Sequence, residues 1–242
     1  MLITLKRPRR HGEDRWMALW LATTAGLLNS TALVAFGLFP AHMTGNTSWL
    51  SSEVSGTDTR DIFFFGSVLI SFLSGSVVTR ITAIWGRIRK YRTVFCQILL
   101  MGGLLLTSIS LYEIFEHSLS SNRRVILILC FLMGIHNSVS TQLSNGRVRT
   151  THLTGTLTDT GITFATLFAA MLRRDCSGDN LILRNQLVTQ LIIIFSFLSG
   201  GIAGIILFKW SGFKSVACVG LILTGVAASS IILVKIRISS RR

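Results

Sequence analysis

The sequence predicts an all-α integral membrane protein with about six transmembrane helices and two short re-entrant or interfacial helices, built as two inverted repeats. Three observations predict it: long uncharged apolar runs, a set of motifs that occurs twice in the same order, and a lopsided distribution of basic residues.

The runs come first. Of 242 residues, 50% are hydrophobic and 14% are charged, against about 25% charged in an average soluble domain. Uncharged stretches cover Trp16–Ser52, Ile62–Thr79, Thr93–Tyr112, Val125–Gly146, Asn185–Phe208 and Ser215–Val234. Most reach or approach the ~18–20 residues needed to cross about 30 Å of hydrocarbon. This excludes an ordinary soluble enzyme, a disordered chain and a disulfide-stapled secreted domain. The formal charge of +14 does not signal nucleic acid, because a nucleic-acid binder gathers its Lys and Arg on one face or in one domain. Here they lie in short tracts between apolar runs. The first tract, Lys6 to Arg15, resembles the start of a signal peptide. The run after it, Trp16–Phe39, exceeds an h-region of ~7–15 residues and has no A-x-A cleavage pattern, so it reads as an uncleaved first span. Cys96, Cys130 and Cys218 lie in apolar runs and Cys176 in a polar loop, with no metal or redox spacing. They read as small hydrophobes.

The repeat comes second. Gly-Leu-Leu-Asn-Ser at 26–30 matches Gly-Ile-His-Asn-Ser at 134–138. His-Met-Thr-Gly-Asn at 42–46 matches His-Leu-Thr-Gly-Thr at 152–156, and Ser-Phe-Leu-Ser-Gly at 71–75 recurs unchanged at 196–200. Trp85 and Trp210 each follow the last glycine by ten residues. The chain then divides into a basic cytoplasmic segment 1–15, repeat 1 at 16–112, an outer loop 113–124, repeat 2 at 125–234 and a basic cytoplasmic tail 235–242. Each repeat has an apolar span, a less apolar piece opened by His-x-Thr-Gly (Thr44–Gly56 or Thr154–Leu172), and two further spans.

Charge bias comes third and addresses whether the less apolar piece crosses. If it does not, and the N-terminus is cytoplasmic, 19 of the 24 basic residues fall inside and 5 outside. Letting only Thr154–Leu172 cross gives 14 against 10. The positive-inside rule prefers the first. Three crossings per half is odd, so the duplicated halves sit in opposite orientations, a construction found in many secondary transporters.

The candidate site follows from the paired elements. Pro40 ends the first span, lacking an N–H. Thr44 and Thr154 are placed to cap the next helix, and Gly45 and Gly155 admit a close backbone or ligand. Helix N-termini directed inward suit an anion. If the two elements face each other near the midplane, His42, Thr44, Gly45, Asn46, His152, Thr154, Gly155 and Thr156 form a shared substrate site. The competing reading is that they only cap helices. Asn29 and Asn137, inside the first spans, either line such a site or join helices. Asp159, the one acid in its piece, is either a proton-coupling group or merely solvated; its counterpart in the first half is Trp49. Arg147 and Arg149 are explained by topology, or by contact with an anion. Ser71, Gly75 and Thr79, and likewise Ser196, Gly200 and Gly204, are spaced by four. They read as packing faces, set against each other or against their own half's first span. No enzyme constellation, metal cluster or phosphate loop stands out, and no cofactor is expected.

The stretches Ala41-His-Met-Thr-Gly-Asn46 and Val148-Arg-Thr-Thr-His-Leu-Thr-Gly-Thr-Leu-Thr-Asp159 resemble the hallmarks of the YoaK family of bacterial multi-pass membrane proteins, which carry a domain of unknown function. The likeness covers about Trp16 to Val234. It implies a plasma-membrane protein of six or seven spans and no established activity or catalytic residue. The expectation is a secondary transporter or permease of a small solute, with anions among the candidates. The alternative is a scaffold or partner-binding subunit, and an intramembrane lipid enzyme has the least support. The expected partners are the lipid bilayer and an unidentified solute, with no nucleic acid; a homo-oligomer is left open.

Overall fold

The computed structural model describes residues 11–56, 59–91, 93–116, 123–173 and 179–239. Lys6, Arg7, Arg9, Arg10, Arg92, Arg174, Cys176, Arg241 and Arg242, and the middle of the expected outer loop, lie outside them. The described residues form eight helices and no strand: α1 His11–Phe36, α2 Met43–Gly56, α3 Thr59–Ile88, α4 Val94–Glu116, α5 Arg123–Ser144, α6 Leu153–Leu172, α7 Asp179–Ser211 and α8 Phe213–Ser239. All but α2 and α6 are long and apolar enough to cross a membrane. Phe63, Ile70, Phe195 and Trp210 point outward at 76%, 65%, 63% and 91% exposure. Side chains of this size in such number need an apolar surrounding, and with six helices of spanning length the protein is a multi-pass membrane protein.

The helices outrun the uncharged stretches. α3 continues past Thr79 to Ile88 and carries Arg80 and Arg87 on exposed faces, while α7 begins at Asp179. Arginine is a good helix former, and a long basic side chain near a membrane helix end can reach the interface. Trp85 and Trp210 stand exposed near the C-termini of α3 and α7, where aromatic residues anchor spans at the interface. Left-handed glycines close three helices: Gly37 (φ +73°) after α1, whose N–H reaches the Leu33 carbonyl, Gly146 (φ +84°) after α5, and Gly212 (φ +56°), whose N–H reaches the Phe208 carbonyl and lets α8 start at once.

Helix directions follow from which residues meet. α1 lies parallel to α7, with Gly200 against the Thr23 carbonyl and Gly204 against Leu27 one turn on. α5 lies parallel to α3: Ser71 donates to the Leu127 carbonyl, Ser76 to the Gly134 carbonyl (3.1 Å), and Arg80 to Gln142 (3.1 Å). α1 and α5 are antiparallel, since Asp14 at the start of α1 meets Arg147 just past the end of α5, while Phe36 and Val125 share the other end. α4 and α8 are antiparallel as well, with Gly103 facing Gly220 and Thr224. Each helix of the first half therefore runs opposite to its counterpart in the second, and the halves are related by a pseudo-two-fold axis across the bundle. The end where α1 starts is here the proximal end; the other is distal.

The two packing stripes meet the other half. Ser71, Gly75 and Thr79 of α3 face α5, and Ser196, Gly200 and Gly204 of α7 face α1. The expectation that they pack on each other or on their own half's first span is corrected. The reason is reciprocal glycine contact: Gly134 abuts the Phe72 carbonyl while Gly75 abuts that of Phe131, and Gly26 abuts Phe197 while Gly200 abuts Thr23. Each pair places one helix's carbonyl where the other helix lacks a Cβ.

The same geometry decides the fate of the less apolar pieces. α5 ends at Arg147–Asp14 and α7 begins where Arg15 donates to Asn185 (2.8 Å), so both flank the proximal end. α6 leaves and returns at that end without crossing. α2 does the same distally, between Phe36 and the Arg123–Asp61 pair (2.6 Å).

Candidate functional site at the proximal end

His42 and His152 occupy equivalent places. α2 begins at Met43 and α6 at Leu153, so the histidines, not Thr44 and Thr154, hold the N-cap positions. Their carbonyls accept from the N–H of Asn46 and of Thr156, each at 3.0 Å. The His152 side chain makes no capping hydrogen bond. Thr44 and Thr154 are the second residues of their helices and so do not cap them, and each imidazole folds over the first turn of its own helix. A Cβ on Gly45 would lie 2.7 Å from His42 Nε2, and one on Gly155 2.6 Å from His152 Nε2. Glycine at these positions makes room for the ring. Asn46 and Thr156 are buried and brace the turn, Asn46 Nδ2 to the Phe39 carbonyl (3.2 Å) and Thr156 Oγ1 to the His152 carbonyl (3.0 Å).

The asparagines serve the loops unequally. Asn29 Oδ1 accepts from the Ala41 N–H (3.0 Å) and fixes the turn beyond Pro40. Asn137 Oδ1 has no partner among the described residues. The second loop is held instead by Ser144, whose Oγ accepts from the Val148 N–H (2.8 Å), and by Ser140 with Thr150 (3.3 Å).

The two elements do not form a shared central site. Each follows the C-terminal end of its half's first span, and those spans are antiparallel. His42 is distal and His152 proximal, separated by a helix of 26 residues, or ~39 Å at 1.5 Å per residue. α2 and α6 make no contact.

The second element borders a cavity. About 560 Å³ of space at the proximal end is bounded by Asp14, the 145–149 loop, the first turns of α6 and residues 182–193 of α7. His152, Gly155, Thr156 and Asp159 line it, together with Arg147, Arg149, Gln186, Thr189 and Gln190. Thr154 and Asn137 are not in its wall. The cavity's base is polar and buried: Thr189 and Gln190 are less than a tenth exposed, and Gln190 Oε1 has no partner among the described residues. The rim carries exposed Arg149, His152 and Asp159. The N–H groups of α6's first turn have no intrahelical acceptor and add positive potential.

Pairing the halves explains why the large polar space lies at the proximal end. Opposite Asp159, Gln190 and Thr189 stand Trp49, Phe65 and Phe64; opposite Ala18 and Ala22 stand Ile126 and Cys130. Distally, Trp49 stacks on Phe65 (centroids 6.2 Å, 8° between planes), and Val68, Ile126 and Cys130 form a packed cluster with Phe36, Leu38, Met43 and Phe64. Smaller or polar side chains leave the proximal space unfilled. Sequence reasoning missed Asp14, Gln186, Thr189 and Gln190. The signal was there in the polar stripe 186, 189, 190 at helical spacing within an apolar run.

Asp14 is 2% exposed and held by Arg147, which donates to Oδ2 from Nε (2.8 Å) and a terminal amine (2.7 Å). Arg147 thus acts as a clasp between α1 and the loop before α6. Arg147→Ala is expected to cost about 2–3 kcal/mol, below the usual ~3–5 for breaking a buried pair because Arg147 is 44% exposed. Asp14→Asn in the Arg147→Ala background should recover part of it. Thermal unfolding in detergent measures this; a midpoint for Arg147→Ala equal to wild type would show that the carboxylate does not depend on the clasp.

These features define a helical membrane protein of two inverted, interlocked halves with a polar cavity at one end. The chain belongs to the family described as "Protein of unknown function (DUF1275)", whose family model matches residues 17–229; YoaK-like membrane proteins belong to that family. Neither a curated protein nor a solved structure matches.

Proposed function

We propose that the protein is a secondary transporter or permease of a small polar solute bearing an anionic group, bound in the proximal cavity. The observation that carries this reading is the contrast between the ends: one architecture, repeated in inverted halves, is open and polar proximally and packed with aromatic side chains distally. A carrier working by alternating access has this asymmetry in any one state. Arg149 and the N-terminus of α6 suit the solute's anionic group. Gln190 Oε1 and Asp159 are acceptors for its donors. The charge bias supports a plasma-membrane location with the proximal end cytoplasmic, so the cavity faces inward. The scaffold alternative draws support from the histidine rings, each of which packs on its own helix as a cap would.

The test is accumulation of radiolabelled small carboxylates, phosphates and amino acids in proteoliposomes. Arg149→Ala is expected to lower uptake about tenfold or more, the equivalent of the ~1.5–3 kcal/mol of a charged hydrogen bond. His42→Ala, distant from the cavity, should alter uptake less than His152→Ala. No accumulation above empty liposomes for any of the panel, or full uptake by Arg149→Ala, would count against the site as described.

A further inference from the structure

At the centre of the bundle α1, α4, α5 and α8 enclose a second cavity of about 30 Å³. Leu28 and His136 both line it. They occupy matched places in the two copies of the Gly-x-x-Asn-Ser motif, so the cavity sits on the pseudo-two-fold axis. In a protein of inverted repeats that axis lies in the membrane plane, near the depth at which such proteins bind their ligands and coupling ions.

His136 is 5% exposed, and neither ring nitrogen has a hydrogen-bond partner among the described residues. A neutral imidazole has one donor and one acceptor, and burying both unmatched is costly. Packing does not demand it, because the other half fills the matched place with leucine. The remaining walls are aliphatic side chains and Gly102 and Gly103. The cavity has the volume for a water molecule but lacks the two to four polar partners a water needs. No titratable group faces the ring from α1, α4 or α8. α3 turns Ser76 toward this part of α5, and its Arg80 is bonded to Gln142. An imidazolium here would have no counter-charge.

We propose that His136 is a proton-binding site on the axis, neutral while the central cavity is closed and protonated when water enters. The lone pair of one ring nitrogen takes a proton from hydronium, leaving water and an imidazolium that the water solvates. The seam that would have to part is the α4–α8 crossing, where Gly103 packs closely against Gly220 and Thr224. Linkage makes the effect reciprocal: if the open centre binds the proton better, low pH favours opening. The coupling role this gives His136, in place of Asp159, rests on the transport reading; the proton site itself does not.

The experiment is hydrogen–deuterium exchange of the full chain in phosphatidylcholine nanodiscs, followed by mass spectrometry of peptides covering 99–106 and 132–136. It runs from about pH 8 to about pH 5, the range in which histidine serves as a switch. After correction for intrinsic exchange, opening in wild type is expected to rise as pH falls, by up to ~tenfold per pH unit for one linked proton. His136→Leu and His136→Gln should both be flat; the second keeps a polar group of similar size should the first disturb folding. A flat wild-type profile, or a slope retained in His136→Gln, overturns the proposal. A retained wild-type slope without solute uptake overturns the transport reading alone, and a flat slope with uptake intact overturns the proton site alone.

Discussion

Gly200→Leu and Gly134→Leu should each abolish the folded protein, and Gly200→Ala and Gly134→Ala should weaken it. At Gly26, Gly75, Gly134 and Gly200 an added Cβ would meet a backbone carbonyl of the facing helix closer than real Cβ atoms approach. A carbonyl in a helix cannot rotate away as a side chain can, so the helices must separate. Overpacking a well-filled interior costs about 1–3 kcal/mol, and in the α3–α5 seam the separation would also loosen Ser71 from Leu127 and Ser76 from Gly134. Leucine adds three more carbons to the same place. The expected result is a graded loss of the monodisperse peak on size-exclusion chromatography in mild detergent, alanine partial and leucine complete. Gly66 and Gly161 have open space where a methyl group would stand, and alanine there should be neutral or slightly stabilising, as glycine is a poor helix former. Equal behaviour of Gly200→Leu and Gly161→Ala would mean that the α1–α7 seam is not held by close backbone contact.

Much of this fold was legible because the bilayer imposes strict conditions. Six spans, two halves and their inversion follow from apolar length, motif order and the parity of crossings. The interlocking of the halves was not legible. Ser-Phe-Leu-Ser-Gly is identical in both copies, so its smooth face fits either half's first span, and the motif cannot choose between them. The site was half legible for a related reason. His-x-Thr-Gly specifies a local turn in which a ring lies over a glycine, and it does so at both ends. The surroundings, not the motif, decide whether that turn borders a cavity. The decisive residues are Asp159 against Trp49, Thr189 against Phe64 and Gln190 against Phe65. Asp159 stands out as the one acid of its piece, but Thr189 and Gln190 lie outside the repeated motifs, and a search for what the halves share passes over them. His136 was overlooked in the same way, as the odd member of a motif valued for its matching Gly, Asn and Ser.

That contrast between the ends yields an expected result that does not depend on knowing the solute. In a variant whose native cysteines are replaced, Gln190→Cys should react with a membrane-impermeant methanethiosulfonate added from the proximal side, because the cavity brings water to α7 at that depth. Thiol reactivity requires thiolate and access, and a thiol buried against hydrocarbon has neither. Giving the proximal end its distal counterparts, Asp159→Trp with Thr189→Phe, should place aromatic rings across the space and reduce labelling to that of the cysteine-free parent. The reciprocal change, Trp49→Asp with Phe64→Thr, removes the ring that stacks on Phe65 and one wall of the Val68–Ile126–Cys130 cluster. Phe65→Cys in that background should gain labelling from the distal side. Two features oppose the gain: the Arg123–Asp61 ion pair at 2.6 Å remains, and Ile126 is larger than the Ala18 it matches. Adding Ile126→Ala should therefore raise distal labelling further. Proximal labelling of Gln190→Cys that survives the two aromatic substitutions would show that water reaches α7 by another route, and the contrast in side-chain volume would no longer explain the cavity.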